Sequence, residues 1–322
     1  MVRHVHGADR PDGYRGLRDD NGSSPCVPLA ATMTRIRLPG RWLLTMTLTW
    51  GLSGLAGAQT LVQFPSLDGP PATTLDAYLF KAEGTGQQPA VVFLHGCGGL
   101  IGRSGSISPR ERQWAARLNA DGLTVLMVDS FGPRHHGEMC SPASFDPAIY
   151  RARAFDAYAA LLYLQSLDTV RPDRVGLIGW SEGGGTLLNT IRSGSKARPS
   201  GLPKGDFRAA VAFYPASCNR WAQGWNWASP TPLLVAVGES DVWTPAGPCR
   251  ALIESASDGT TAAIQVYPGA FHDFDWPDMP VHEVPAFKTR AGVIPIEGMD
   301  PAALADARQR VPSFLKSLLS TP

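Results

Sequence analysis

Gly179-Trp180-Ser181-Glu182-Gly183 is a GxSxG pentapeptide, the arrangement that turns a serine hydroxyl into a nucleophile. The apolar run Val175–Ile178 leads into it, and Gly184-Gly185-Thr186-Leu187-Leu188 leaves it as a helix start without bulky side chains at its beginning. A sharp strand–turn–helix bend raises the hydroxyl above a sheet edge, and glycines on either side of Ser181 keep Cβ atoms out of that bend. Composition alone yields about a quarter of one such pentapeptide by chance, so the setting carries the expectation more than the pattern does.

Serine attacks a carbonyl with the help of a base, and on an elbow of this kind the acid and then the histidine follow it in the chain. Only His272 and His282 come after Ser181. His272 lies in Gly269-Ala270-Phe271-His272-Asp273-Phe274, a few residues beyond the strand-like run ending at Tyr267, where a loop brings its ring over the nucleophile. His282 sits among Pro277, Pro280 and Pro285 and reads as a surface loop residue. The orienting carboxylate must follow a core strand between the two, and Asp241, just after Leu233–Gly238, meets that requirement. Glu239 is the runner-up and reads as a strand-end surface acid. The developing oxyanion needs backbone donors, expected from the N–H groups of Glu182 and of Cys97 in His95-Gly96-Cys97-Gly98-Gly99. His95 precedes the nucleophile and is read as ordering that loop. The Glu182 side chain is badly placed to orient His272 and is expected to influence the local charge.

His135, His136, Glu138 and Cys140 are metal-ligand types, yet adjacent histidines point apart in an extended chain and no imidazole or carboxylate recurs at helical spacing. The segment therefore reads as a polar loop bordering the site and not as a metal centre. Arg134 and Trp243, with Phe271 and Trp276, are candidate substrate contacts.

These residues need a frame. Past Gln59 the chain shows neither repeats nor a low-complexity linker, and apolar runs alternate with helical patterns, the layout of one α/β domain. Strands are expected at Leu75–Lys81, Ala90–Leu94, Leu123–Val128, Val175–Gly179, Ala209–Phe213, Leu233–Val237 and Ala263–Tyr267. Helices are expected at about 110–120, 150–167 and 301–319; in the second, Ala154, Phe155, Tyr158, Leu161 and Leu162 share a face. Continuous β-branched and aromatic runs such as Ala90-Val91-Val92-Phe93-Leu94 call for a mostly parallel sheet covered by helices on both sides.

The chain of 322 residues is 43% hydrophobic and 18% charged, enough to bury a full core. Residues 1–58 hold 7 Lys+Arg against 4 Asp+Glu, and the remainder 22 against 24, which leaves no basic face for nucleic acid. Arg35, Arg37 and Arg41, the apolar stretch Trp42–Leu52 and then Ala56-Gly57-Ala58 form the pattern of a signal peptide over 33–58 with cleavage after Ala58. Its apolar stretch is short and Thr-rich for a membrane span, so no lasting anchor is expected. Residues 1–32 read as a mis-started or disordered leader, and 59–322 as a single domain in the periplasm or outside the cell. Export would put Cys97, Cys140, Cys218 and Cys249 in an oxidising compartment. Cys218 and Cys249 each follow a core strand by several residues and are the favoured pair, with other pairings and free thiols left open.

HGCGG at 95–99, DSFGPR at 129–134, GWSEGG at 179–184, GESDVWTP at 238–245 and the His272 segment together resemble the dienelactone hydrolase family over residues 70–320. The resemblance implies an α/β-hydrolase fold and a cofactor-independent hydrolase of small esters or lactones, with Ser181, Asp241 and His272 in the triad positions. The best-known members carry cysteine as nucleophile, so serine here makes a plain carboxylesterase an equally good description. A peptidase of the prolyl-oligopeptidase type shares such a domain but usually adds a large propeller. A non-catalytic binding protein on the same fold would be expected to have lost a triad member, and none is missing.

Overall fold

The computed structural model describes residues 59–257 and 259–320. The expected leader and the signal peptide with its cleavage point after Ala58 lie outside the described residues. In chain order the strands are β1 (Thr60–Pro65), β2 (Thr74–Phe80), β3 (Gln88–Leu94), β4 (Thr124–Asp129), β5 (Val170–Trp180), β6 (Ala209–Phe213), β7 (Leu233–Gly238) and β8 (Ala262–Tyr267). Between and after them run α1 (Pro109–Ala120), α2 (Pro147–Ser166), α3 (Glu182–Ile191), α4 (Arg220–Gln223), α5 (Ala246–Glu254) and α6 (Pro301–Leu319). A short ribbon pairs β9 (His282–Glu283) with β10 (Ile296–Glu297).

The main sheet has the order β1-β2-β4-β3-β5-β6-β7-β8. The β1–β2 and β2–β4 pairs are antiparallel, and every pair from β4–β3 onward is parallel. Period-two alternation sorts β3 between two cores. Ala90, Val92 and Leu94 pack with residues of α2, α3 and α5, while Val91 and Phe93 pack with residues of α1 and α6. Burial on both faces explains why the central strands read as unbroken apolar runs.

Helix starts are marked by a capping residue followed by proline: Ser108-Pro109, Asp146-Pro147 and Asp300-Pro301. Asp146 Oδ1 accepts from the Ala148 and Ile149 N–H groups at 2.7 and 3.3 Å, and Asp300 Oδ1 from Ala303 N–H at 2.8 Å.

The expected strands and the three helices are all present, with ends shifted by a few residues except at β5, which starts five residues earlier. The edge strand β1, whose burial is one-sided and patchy, and the nine-residue α5 carry too little periodic signal to stand out in the sequence. Register places the functional loops together. Leu94 pairs with Gly179 and Gly238 with Tyr267, so the loops after β3, β5, β7 and β8 open at the same edge of the sheet.

Candidate active site

The chain turns sharply at Ser181, which takes φ 50° and ψ −114°, a strained conformation for a residue with a Cβ. Its neighbours explain how the strain is held. Ser181 N–H donates to Phe213 O at 3.0 Å at the end of β6, and Ser181 O accepts from Gly185 N–H at 3.0 Å and Ala216 N–H at 2.8 Å. A Cβ on Gly179 would overlap the Gly183 carbonyl, and one on Gly183 would overlap the carbonyls of Leu94 and His95. The two glycines of the pentapeptide are thus a packing requirement of the bend.

Ser181 Oγ lies 3.0 Å from His272 Nε2, and His272 Nδ1 lies 2.7 Å from Asp241 Oδ2. All three side chains are buried. With the ring proton on Nδ1 and donated to Asp241, Nε2 is left to accept from the serine hydroxyl. Asp241 is itself fixed: Oδ1 accepts from the N–H groups of Trp243 and Thr244, both at 2.8 Å, and Oδ2 accepts from the Thr244 hydroxyl at 2.7 Å. Burial of His272 favours the neutral ring, but the Asp241 charge and hydrogen bond, helped by Asp273 and Glu297, outweigh it and hold the pKa above its ordinary 6.5. Glu239, by contrast, is exposed, and His282 is exposed with Nε2 3.5 Å from Glu297.

The loop bearing His272 is anchored below by a polar cluster that sequence reasoning missed. Arg110 Nη1 donates to Asp273 Oδ1 at 2.6 Å and to the Tyr214 hydroxyl at 3.0 Å. Asp275 accepts from the indole N–H groups of Trp114 and Trp180 at 2.7 and 2.8 Å and from the Tyr214 hydroxyl. Burial pushes the Asp275 carboxyl above its ordinary pKa, against the pull of Arg110 and these donors. Two residues just after His272 are therefore tied to the elbow strand and to α1.

The Cys97 and Glu182 N–H groups, the expected oxyanion donors, find no acceptor among the described residues. Gly96 brings the first of these loops beside the nucleophile: a Cβ built there would lie 3.7 Å from Ser181 Cβ. His95 takes the ordering role expected of it, with Nδ1 2.7 Å from Gly96 O and Nε2 accepting from Ser130 N–H at 3.3 Å. The Glu182 carboxylate turns inward to fully buried Arg153 at 2.5 Å, and the same guanidinium donates to His95 O. Burial raises the Glu182 pKa and Arg153 opposes it. Arg153 thus joins the two loops that carry the donors. It stands on the buried stripe of α2 four residues after Ile149 and four before Ala157, and a charge interrupting an apolar stripe was the available signal.

Arg134 is corrected. It binds Asp156 through two bonds, at 2.9 and 2.8 Å, and also reaches Asp68 at 2.9 Å and Ser130 O at 2.7 Å. With its donors spent on two carboxylates it ties the loop after β4 to α2 and takes no part in the walls around Ser181. Phe271 likewise borders neither cavity described next. The loop of His135 and His136 also has other tasks: Cys140 is bonded to Cys97, and Glu138 Oε2 accepts from the Cys140 and Ser141 N–H groups at 2.5 and 3.3 Å. Cys218 pairs with Cys249, as the order of strands led us to expect.

Two cavities meet at the nucleophile. One of about 490 Å³ has walls from Met139, Phe145, Tyr150 and Pro215; the other, about 220 Å³, is bounded by Arg110, His272, Asp273, Trp276 and Glu297. Cys97, Cys140, Ser181 and Trp243 border both.

Comparison with known proteins agrees with this architecture. YtaP of Bacillus subtilis (strain 168), which carries a hydrolase name, is 31% identical over 121 residues, 34% of this chain and 40% of its own length. The chain spans about two fifths of the length of the curated relatives it matches. The dienelactone hydrolase-like promiscuous phosphotriesterase P91 from metagenomic libraries superimposes with a TM-score of 0.58 at 22% identity, covering 81% of this chain and 99% of P91. Thermogutta terrifontis esterase 2, in a form phosphorylated by paraoxon, gives 0.56 at 17% identity over 83% of this chain and 98% of the esterase. At such identities the likeness speaks for the fold alone, the α/β-hydrolase fold. The dienelactone hydrolase family model matches residues 75–319, from β2 to the last residue of α6, and so this chain belongs to the dienelactone hydrolase family.

Proposed function

We propose that the protein is an exported serine hydrolase that cleaves small carboxylic esters or lactones through an acyl-enzyme. The observation that carries this reading is the run Ser181 Oγ–His272–Asp241, with links of 3.0 and 2.7 Å, buried beside two backbone N–H groups that find no acceptor among the described residues. Ser181 Oγ attacks the carbonyl carbon while His272 Nε2 takes its proton, and the oxyanion accepts from the Cys97 and Glu182 N–H groups. The imidazolium then gives its proton to the departing alkoxide. Water, deprotonated by the same nitrogen, attacks the acyl carbon, and as the carboxylic acid departs the imidazolium returns the proton to Ser181 Oγ. In a lactone the alcohol stays tethered to the acyl chain and leaves with it. Every step uses groups of this chain.

The acyl and alcohol halves of the substrate would lie in the two cavities that meet at Ser181, with Trp243 between them, and their volumes favour small groups. Two disulfides fit a periplasmic or extracellular setting and support the signal-peptide reading of residues 33–58, with 59–322 as the catalytic domain. The test is hydrolysis of short p-nitrophenyl esters by wild type and Ser181→Ala. A fall in kcat of about 10³ or more supports the reading, and equal rates would refute it.

A further inference from the structure

After Leu94 the chain is held at His95 by Ser130 N–H and Arg153, but the turn 96–99 that follows has few side chains of its own. Gly96, Gly98 and Gly99 have no side chains, so within this four-residue turn Cys97 supplies the one side chain available. Yet the turn passes beside Ser181, and the Cys97 N–H has to sit where an oxyanion will form. Misplacing a catalytic group by about 1 Å is enough to cost roughly 10² in rate.

A hydrogen bond and a covalent bond hold Cys97, and its N–H finds no acceptor among the described residues. Its carbonyl accepts from Met139 N–H at 2.7 Å, and its sulfur is bonded to Cys140, 43 residues away in sequence. Both partners belong to the stretch 135–146, which has no helix or strand of its own. That stretch is pinned in turn by the buried Met139 side chain, packed with Phe131 and Ile149, and by Glu138 on the Cys140 and Ser141 N–H groups. The disulfide also stands at the neck of the cleft, because both cysteines border both cavities on either side of Ser181.

We propose that the Cys97–Cys140 disulfide is a positioning element of the active site: it holds the Cys97 N–H on the oxyanion, so that full catalysis requires the bridge to be oxidised. This rests on the serine-hydrolase reading. Its removal involves a simple redox step. Dithiothreitol delivers two electrons and two protons to the S–S bond, leaving thiols on Cys97 and Cys140 and closing its own two sulfurs into a ring disulfide.

The experiment compares the oxidised and dithiothreitol-treated full chain in a Cys218→Ser/Cys249→Ser background, whose own oxidised activity is the reference. Reduction is expected to lower kcat on p-nitrophenyl acetate about 10²-fold, with KM within about threefold, while near-ultraviolet circular dichroism stays that of a folded protein. Reoxidation should restore the rate, and Cys140→Ala should show the same loss without reductant. An unchanged kcat after reduction would overturn the proposal, as would a loss that only tracks unfolding or one confined to KM. Failure of the serine reading looks different: the oxidised reference would be inactive, or insensitive to Ser181→Ala.

Discussion

At the scale of single residues, the charge of Asp241 does two things for His272. It orients the ring through Nδ1 and raises the affinity of the imidazole for a proton. Because the base must be neutral to accept from Ser181, kcat/KM should rise with pH through a pKa above 6.5, the ordinary value that Asp241 helps to lift. Asp241→Asn removes that charge, so the acid limb of the pH profile should move to lower pH while kcat falls by about 10⁴. A limb that stays put, measured from kcat/KM between pH 5 and 9, would mean that some other group sets it. The grouping of Ser181, His272 and Asp241 was legible in the sequence because each follows a recognisable strand in the expected order. Thr244 was not read, although it lies three residues beyond Asp241, where the N–H groups of a turn regularly meet an aspartate oxygen. Arg134 was misjudged for a different reason: a cation in a loop near the site gives no sign, in sequence, of the two acidic partners that occupy it.

At the scale of elements, the apolar runs announced the sheet because burial on both faces removes the need for polar residues, and β3 through β7 were visible for that reason. What the pattern hid is how elements are joined by buried charge. The helix α2 was read for its apolar face, and Arg153 on that face links it to the loops after β3 and β5. Arg153→Met should leave Glu182 buried without its partner and cost about 3–5 kcal/mol, measured by urea unfolding. The sign of its pH dependence follows from the raised Glu182 pKa. The folded state of the variant holds a proton on Glu182 that the unfolded chain releases, so the loss should be smaller in acid and grow as pH rises through that pKa. Adding Glu182→Gln should recover part of it.

At the scale of the whole molecule, two disulfides divide their work. Cys218–Cys249 joins the segments after β6 and β7 over a sequence separation of 31 residues, and the order of strands alone suggested it. Replacing both cysteines by serine should lower the unfolding free energy by about 3–4 kcal/mol in the chain-entropy model, read from denaturant curves. A loss under about 1 kcal/mol would show that the bridge constrains the unfolded chain very little. Cys97–Cys140 was not foreseen, because it depends on how a glycine turn and an irregular loop meet in space, which no periodicity records. The two cavities and the contacts of His272 and Asp241 meet at Ser181, and its proposed role is most directly examined by one comparison. Folded wild type and folded Ser181→Ala should be assayed side by side on p-nitrophenyl acetate. The account predicts a drop in kcat of about 10³ or more with the fold intact. A variant as fast as wild type, or a folded wild type inactive on every short ester, would contradict it.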